Sequence, residues 1–334
     1  MFRLQEALSL LRRTMQRVAL IYNPASGQIS ARRKAAVQEA LDVLAEAGIE
    51  AEAFITDGAG SATLQAQEAV RRGCDTILAC GGDGTVHEVL QSLVGGDVAL
   101  GVVPLGTANA LAASLGLNGT PAKVVRELLD GTPARVSVGR IHYHKIDGTP
   151  ASRYFTVAAG VGADALLMSR LDSRLKRRLG YVLYLIEAFR IWATHSFPLF
   201  EANFPASGNG AGNGVGRVVE VSQLLVVRVR SFGGVLRYLA PGASVRNGNL
   251  SLLAFKTRSR LRYMLFLLAV IAGRHTFARE VELIETDSVD CRPRNGSKDR
   301  LFAEADGEVL GSLPVRIEVV PHAVNLLIPR GAQL

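Results

Sequence analysis

Thr76-Ile77-Leu78-Ala79-Cys80-Gly81-Gly82-Asp83-Gly84-Thr85-Val86-His87-Glu88 is the stretch on which the fold turns. The run up to Cys80 reads as a buried strand, Gly81 to Gly84 holds three glycines and Asp83, and a helix begins near Thr85. Glycine lets the backbone approach phosphate oxygens and adopt positive φ, so that successive N–H groups form an anion nest. The helix N-terminus adds partial positive charge at the same point. An anion alone does not call for Asp83. A carboxylate beside phosphates implies a cation between them, and Mg²⁺ held by one carboxylate plus phosphates is the usual arrangement. The plainer alternative is a tight turn in which Asp83 caps the helix.

Outward from this stretch, short apolar strands alternate with helices. RVALIYNP reads as a strand entering a turn, and Val37, Ala40, Leu41 and Leu44 follow helical spacing. The strand EAFIT and a helix around Leu64 to Arg72 come next; ALGVVPL follows later and ends in GTAN. This alternation predicts a parallel sheet covered on both faces. Glycine-bearing turns follow three of its strands: Asn23-Pro24-Ala25-Ser26-Gly27, the GGDGT loop, and Pro104-Leu105-Gly106-Thr107-Ala108-Asn109. Open α/β sheets bind ligands at that edge, and three such turns together suggest a nucleotide cleft.

From about Val136 the pattern changes. RYFTVAAGV, SQLLVVRVR, LSLLAFKT and PVRIEVVP are β-rich and predict a mainly antiparallel second domain, a sandwich. The expected division is an α/β nucleotide-binding domain over 17–138 and a β-rich domain over 139–330, the last strand returning to the first. SGNGAGNGVG, Ser207 to Gly216, reads as a surface loop, and Cys291 to Arg300 as a polar basic one.

Composition bounds the partners. The 334 residues are 48% hydrophobic and 20% charged, enough for two packed domains and against disorder. A net charge of +8 favours anionic partners. Nucleic acid is set aside, because no recognition motif accompanies that charge. Cys74, Cys80 and Cys291 have neither disulfide nor zinc spacing and fit a reducing, cytoplasmic setting. No apolar run reaches the ~18 residues of a membrane span. Leu4, Ala7, Leu8 and Leu11 share a helical face among arginines, suited to a membrane surface or to packing on the domain itself. Tyr263 to Ala272, framed by Arg258, Arg260, Arg262 and Arg274, reads as a buried helix in preference to an interfacial one.

NPASG, GGDGTVHEV and PLGTANALAASLG, in that order, resemble the diacylglycerol kinase catalytic-domain family, which includes sphingosine and ceramide kinases. GVGAD, RRLGYVLYL, FGGVLRYLAPGASVRNGNL and EADGEVLGSLPVRIEVVPHA extend the resemblance over nearly the whole chain. GGDGT alone is shared with NAD kinases; the GTAN loop and the ADGE segment favour the lipid kinases.

The resemblance implies an ATP- and Mg²⁺-dependent lipid kinase of phospholipid metabolism, with ATP between the domains. Asn23, Thr56, the loop Gly82, Asp83, Gly84, Thr85, Val86, His87 and Glu88, and Thr107 would line the ATP site. Gly106 and Asn109 belong to the third turn. Asp83 would position Mg²⁺ and the phosphates, Glu308 would accept the proton of the lipid hydroxyl, and Asp306 would be its partner. Ala110 stands where bacterial diacylglycerol kinases have Asp. This and GVGAD lean towards a sphingoid-type branch, with Asp164 as head-group acceptor. Asn247 stands where bacterial members place a carboxylate that binds a structural Mg²⁺, and an amide is a poorer ligand. The implied setting is peripheral, at an anionic inner membrane surface, and a homodimer stays open. The alternatives are a NAD kinase and a non-catalytic nucleotide- or lipid-binding regulator.

Overall fold

The computed structural model describes residues 15–24, 30–106, 108–145, 147–170, 181–205, 216–230, 239–240, 242–271, 281–297 and 299–332. The chain divides into two compact units. One runs to Val136 and resumes at Ala323; the other is Ser137–His322.

The first unit is the α/β domain expected from the alternating pattern. Its elements are β1 (Arg17–Tyr22), α1 (Ser30–Glu46), β2 (Glu50–Ile55), α2 (Ser61–Arg71), β3 (Thr76–Gly81), α3 (Asp83–Leu93), β4 (Ala99–Pro104), α4 (Ala110–Ser114) and α5 (Pro121–Leu129). The strands pair in parallel in the order β2-β1-β3-β4, and Asn325 and Leu326 of the final strand extend the sheet beside Ala99 and Leu100. β3 is buried at all its residues, whereas β2 at the edge is largely exposed. A strand covered on both faces needs apolar residues throughout, which is why TILAC lacks alternation. α5 starts where Thr120 Oγ1 accepts from Lys123 N at 3.3 Å and Pro121 occupies the first helical turn.

The second unit contains β5 (Thr132–His144, entering from the first unit), β6 (Pro150–Phe155), β7 (Ala158–Val161), α6 (Ala163–Arg170), α7 (Tyr181–Thr194), β8 (Phe200–Phe204), β9 (Arg217–Val221) and β10 (Gln223–Val227). β11 (Leu250–Phe255), α8 (Arg260–Ile271), β12 (Val281–Thr286), β13 (Ser288–Pro293), β14 (Phe302–Ala305) and β15 (Glu308–Ile328) complete it. One antiparallel run is β12-β11-β10-β7-β14-β15, and another is β15-β13-β8-β9. Their inner faces supply one apolar core that includes Phe155, Phe200, Leu224, Leu252, Val289 and Ile317. This is the β-sandwich the alternating strands predict.

α8 departs from the expectation of a buried helix. Tyr263, Phe266 and Val270 pack inward, but Leu261, Leu265 and Leu268 are 66%, 55% and 54% exposed. The sequence here is apolar all round, so its pattern could not reveal which face would be covered. The N-terminal helix, Ser207 to Val215 of the glycine-rich loop and the RLKRRLG segment lie outside the described residues.

Candidate active site

In the first unit the GGDGT and GTAN turns meet through main-chain contacts. Leu105 N donates to Gly81 O at 2.8 Å, joining the ends of β3 and β4. Beyond this bond Gly82 and Gly106 face each other. A Cβ on Gly106 would lie 2.5 Å from Gly82 Cα and 2.8 Å from Asn109 Oδ1. No side chain fits there, so the approach of the two loops requires glycine. Asn109 sits at φ 50, a left-handed conformation that Asn tolerates better than most residues. Its Oδ1 accepts from Gly106 N at 3.0 Å while its Nδ2 donates to Gly106 O at 2.8 Å, closing the GTAN turn.

Asp83, the first residue of α3, is half-buried, and its Oδ1 accepts from Ala110 N at 2.8 Å. It therefore joins the GGDGT loop to the start of α4. Glu88 binds inward: its carboxylate accepts from Gly60 N at 2.9 Å and Ala62 N at 3.0 Å, holding the N-terminus of α2. Val86 and His87 are buried on the inner face of α3, and Gly84 is exposed in its first turn. Thr85 crowds Gly81, whose Cβ would lie 2.3 Å from Thr85 Oγ1.

Thr56 follows β2, and its Oγ1 is sealed from solvent with no hydrogen-bond partner among the described residues. Asn23 follows β1; its carbonyl accepts from Arg33 Nη1 at 3.1 Å, and Leu105 O accepts from Arg33 Nη2 at 3.1 Å. Arg33, 7% exposed, thus ties the first turn to the third, and burial lowers its pKa. Sequence reading missed it, since it begins a helix among Arg32 and Lys34 and resembles a solvated basic face. Thr107 lies outside the described residues.

The second unit gathers acids around the β14–β15 turn. Asp306, at φ 47, points its carboxylate at the strap before β7: Oδ2 accepts from Thr156 N at 3.0 Å, and Oδ1 from Val157 N at 2.9 Å and Ala158 N at 3.0 Å. Its own N–H donates to Ala158 O at 2.8 Å. Asp306 anchors the turn that carries Glu308, which opens β15 opposite Ala305.

Glu304, unassigned from sequence, is buried on β14 opposite Gly160 of β7, and its Oε2 accepts from Gly307 N at 2.7 Å. Asp164, at the start of α6, lies over the same glycine; a Cβ on Gly160 would stand 1.6 Å from Asp164 Oδ2. Asp164 Oδ1 accepts from Ala165 N at 2.8 Å, while Oδ2 is buried with no partner among the described residues. Burial pushes Asp164 up to about 7. Burial, with the Asp164 charge adding to it, raises Glu304 well above the carboxylate range. Two desolvated carboxyls side by side cannot both ionise readily, so the pair retains a proton near neutrality. Tyr263, half-buried beside this cluster, shares a 2.8 Å hydrogen bond with Ser222 Oγ and has a raised pKa, chiefly from desolvation.

Among the described residues no group of three or more His, Cys, Asp or Glu could hold a metal ion. A metal carried wholly by protein ligands does not fit them. A Mg²⁺ held largely by phosphates, with Asp83 as one carboxylate, does fit the glycine turns that Asp83 joins. His142 Nε2 lies 3.1 Å from Glu318 Oε1, a partner of Arg140 and Arg316, in a surface charge network.

Comparison with known proteins follows the same division. Residues 17–141 match the diacylglycerol kinase catalytic domain, and 156–328 match the YegS C-terminal NAD kinase beta sandwich-like domain. A diacylglycerol kinase of Bacillus subtilis is 27% identical over 95% of this chain and 97% of its own length. A Chromohalobacter salexigens protein named "Probable lipid kinase YegS-like" is 30% identical over 94% of each. A solved structure from Bacillus anthracis has a TM-score of 0.75 at 20% identity, covering 96% of this chain and 98% of that one. Yeast NADH kinase complexed with NADH shares the fold more distantly, with a TM-score of 0.51 at 10% identity over 94% and 83%.

Proposed function

This chain belongs to the diacylglycerol kinase catalytic-domain family, and from that premise we propose that it transfers the γ-phosphate of ATP to a hydroxyl of a membrane lipid. The observation that carries the reading is the contact of Gly82 with Gly106. It brings two glycine turns and the start of α3 together where only main chain fits, as phosphate recognition needs. Thr56 Oγ1 is a further donor awaiting a partner.

In this reading the Gly82–Thr85 and Gly106–Asn109 turns hold the triphosphate, and Asp83 presents its carboxylate to a Mg²⁺ on those phosphates. The metal would neutralise charge as it builds on the transferring group. Glu308 accepts the proton of the lipid hydroxyl as its oxygen bonds to the γ-phosphorus and the bond to the ADP oxygen breaks. Asp306 acts through position, since its carboxylate fixes the turn. The Asp164–Glu304 pair, both raised by burial, can donate to and accept from a polar lipid head.

Peripheral contact with an anionic membrane completes the reading. Ile186 and Phe189 of α7 and Leu261, Leu265 and Leu268 of α8 are exposed, with Arg258, Arg260 and Arg262 at the start of α8. α7 and α8 touch through Trp192 Nε1, which donates to Arg260 O at 2.8 Å. Such an apolar patch with basic flanks suits an interfacial position. No helix among the described residues is long and apolar enough to cross a membrane.

The test is transfer of label from γ-labelled ATP, with Mg²⁺, to diacylglycerol, sphingosine, ceramide or phosphatidylglycerol in mixed micelles, with NAD in buffer alongside. A labelled lipid is expected and names the branch. Label on NAD alone would replace the proposal with a NAD kinase, and ATP binding without transfer to any acceptor would favour the non-catalytic regulator.

A further inference from the structure

Arg228 follows β10 and is 1% exposed. Its guanidinium reaches four main-chain carbonyls and no carboxylate among the described residues. Nη1 donates to Asn249 O; Nη2 lies 3.0 Å from Ser137 O, 3.1 Å from Asn247 O and 3.4 Å from Val245 O. Nε is sealed without a partner among the described residues, so those carbonyls carry the satisfaction of the group. Burying a cation without a counter-ion is costly, and desolvation lowers the pKa of Arg228 to about 10. It stays charged at neutral pH. Carbonyl oxygens converging on one buried point are also how a protein holds a hard metal ion; here the point belongs to a side chain.

The surrounding loop is tied in the same shape. Ser137 N donates to Val245 O at 2.9 Å, Asn247 N to Ser244 O at 3.0 Å, and Asn247 Nδ2 to Gly242 O at 2.8 Å. The Asn247 side chain thus braces the loop, and its carbonyl serves the guanidinium. Arg228 is also tied to the acidic turn. Its N–H donates to Val157 O at 2.8 Å, and Val157 N donates to Asp306 Oδ1 at 2.9 Å.

We propose that the carbonyls of Ser137, Val245, Asn247 and Asn249 form a cation cage whose resident cation is the Arg228 guanidinium. The loop then takes no accessory divalent metal, and the cage helps to position the Asp306 turn. Arg228 is a positioning residue, two hydrogen bonds from Asp306. This holds whatever the acceptor of the reaction, because it rests on the geometry of one unit.

The test uses the full chain, purified without chelator and free of nucleotide. Wild type is expected to carry well under one tightly bound divalent ion per chain, with a Tm that EDTA, Mg²⁺ or Ca²⁺ moves by no more than about 1 °C. Arg228→Met should lower Tm by about 5 °C or more. In native-state hydrogen exchange it should also speed exchange of the Thr156–Ala158 amides, which a defect confined to the loop would leave alone. One divalent ion per wild-type chain, a Tm that falls in EDTA, or an Arg228→Met protein with wild-type Tm and exchange would overturn the proposal. If Arg228→Met does not fold, the wild-type metal content and EDTA response decide.

Discussion

The two units present opposite chemistry to the ligands proposed for them. The first works with main chain: Gly82 meets Gly106, Asn109 closes its own turn, and the carboxylates of Asp83 and Glu88 accept backbone N–H groups that start helices. The second works with buried side-chain acids, Asp164 and Glu304 over Gly160, beside a turn anchored by Asp306. Phosphate is anionic, and dipoles with a shared cation suit it. A lipid hydroxyl needs a group that takes a proton, the part proposed for Glu308 on the turn that Asp306 anchors. The cost also differs, because a main-chain cradle breaks by steric intrusion and an acid cluster breaks by changing charge.

That contrast can be broken at three points. The largest effect belongs to Asp83→Ala, which removes both the Ala110 contact and the proposed metal carboxylate. Turnover should fall about a hundredfold or more while circular dichroism stays native. Wild-type turnover in this variant would remove Asp83 from the site. Next is Gly106→Ala, whose methyl meets Gly82 backbone rather than a yielding side chain. ATP affinity, read by calorimetry, should drop about tenfold, equivalent to about 1.4 kcal/mol. An unchanged affinity would mean that the loops can part without consequence.

The smallest effect sharpens the acid side. Asp164 is raised from 3.8 to about 7, so the folded state binds a proton that the unfolded state releases. Its stabilising contribution is complete below about pH 4 and is lost as pH rises through about 7. Glu304 shifts in the same direction. Thermal midpoints of wild type and Asp164→Asn should therefore diverge by a few degrees at pH 8 in favour of Asn, and the gap should narrow at pH 5. A constant gap would contradict the retained proton.

The same contrast explains what could be read in the sequence. GGDGT and GTAN were legible because glycine records where backbone must come close, and that record is local. The alternating strands likewise announced a parallel sheet followed by a sandwich. Glu304 and Arg33 were not legible. Glu304 stands out only as an acid among alanines in Phe302–Ala305, and its place depends on register against Gly160, a residue far away in the chain. Arg33 matters because its helix turns it onto two carbonyls, one of them from β4's loop. Glu88 was expected with the ATP-lining loop, whereas the helix turn aims its carboxylate at α2. The exposed stripe of α8 was hidden by a sequence apolar on every face.

The division of labour is tested most directly by Glu308→Gln, measured for ATP affinity and lipid phosphorylation side by side. The account predicts an ATP affinity near that of wild type and a turnover lower by about 10²–10⁴-fold, the loss expected of a missing general base. Turnover close to wild type would contradict the assignment of proton transfer to the second unit, and a matching loss of ATP affinity would contradict the separation of the two tasks.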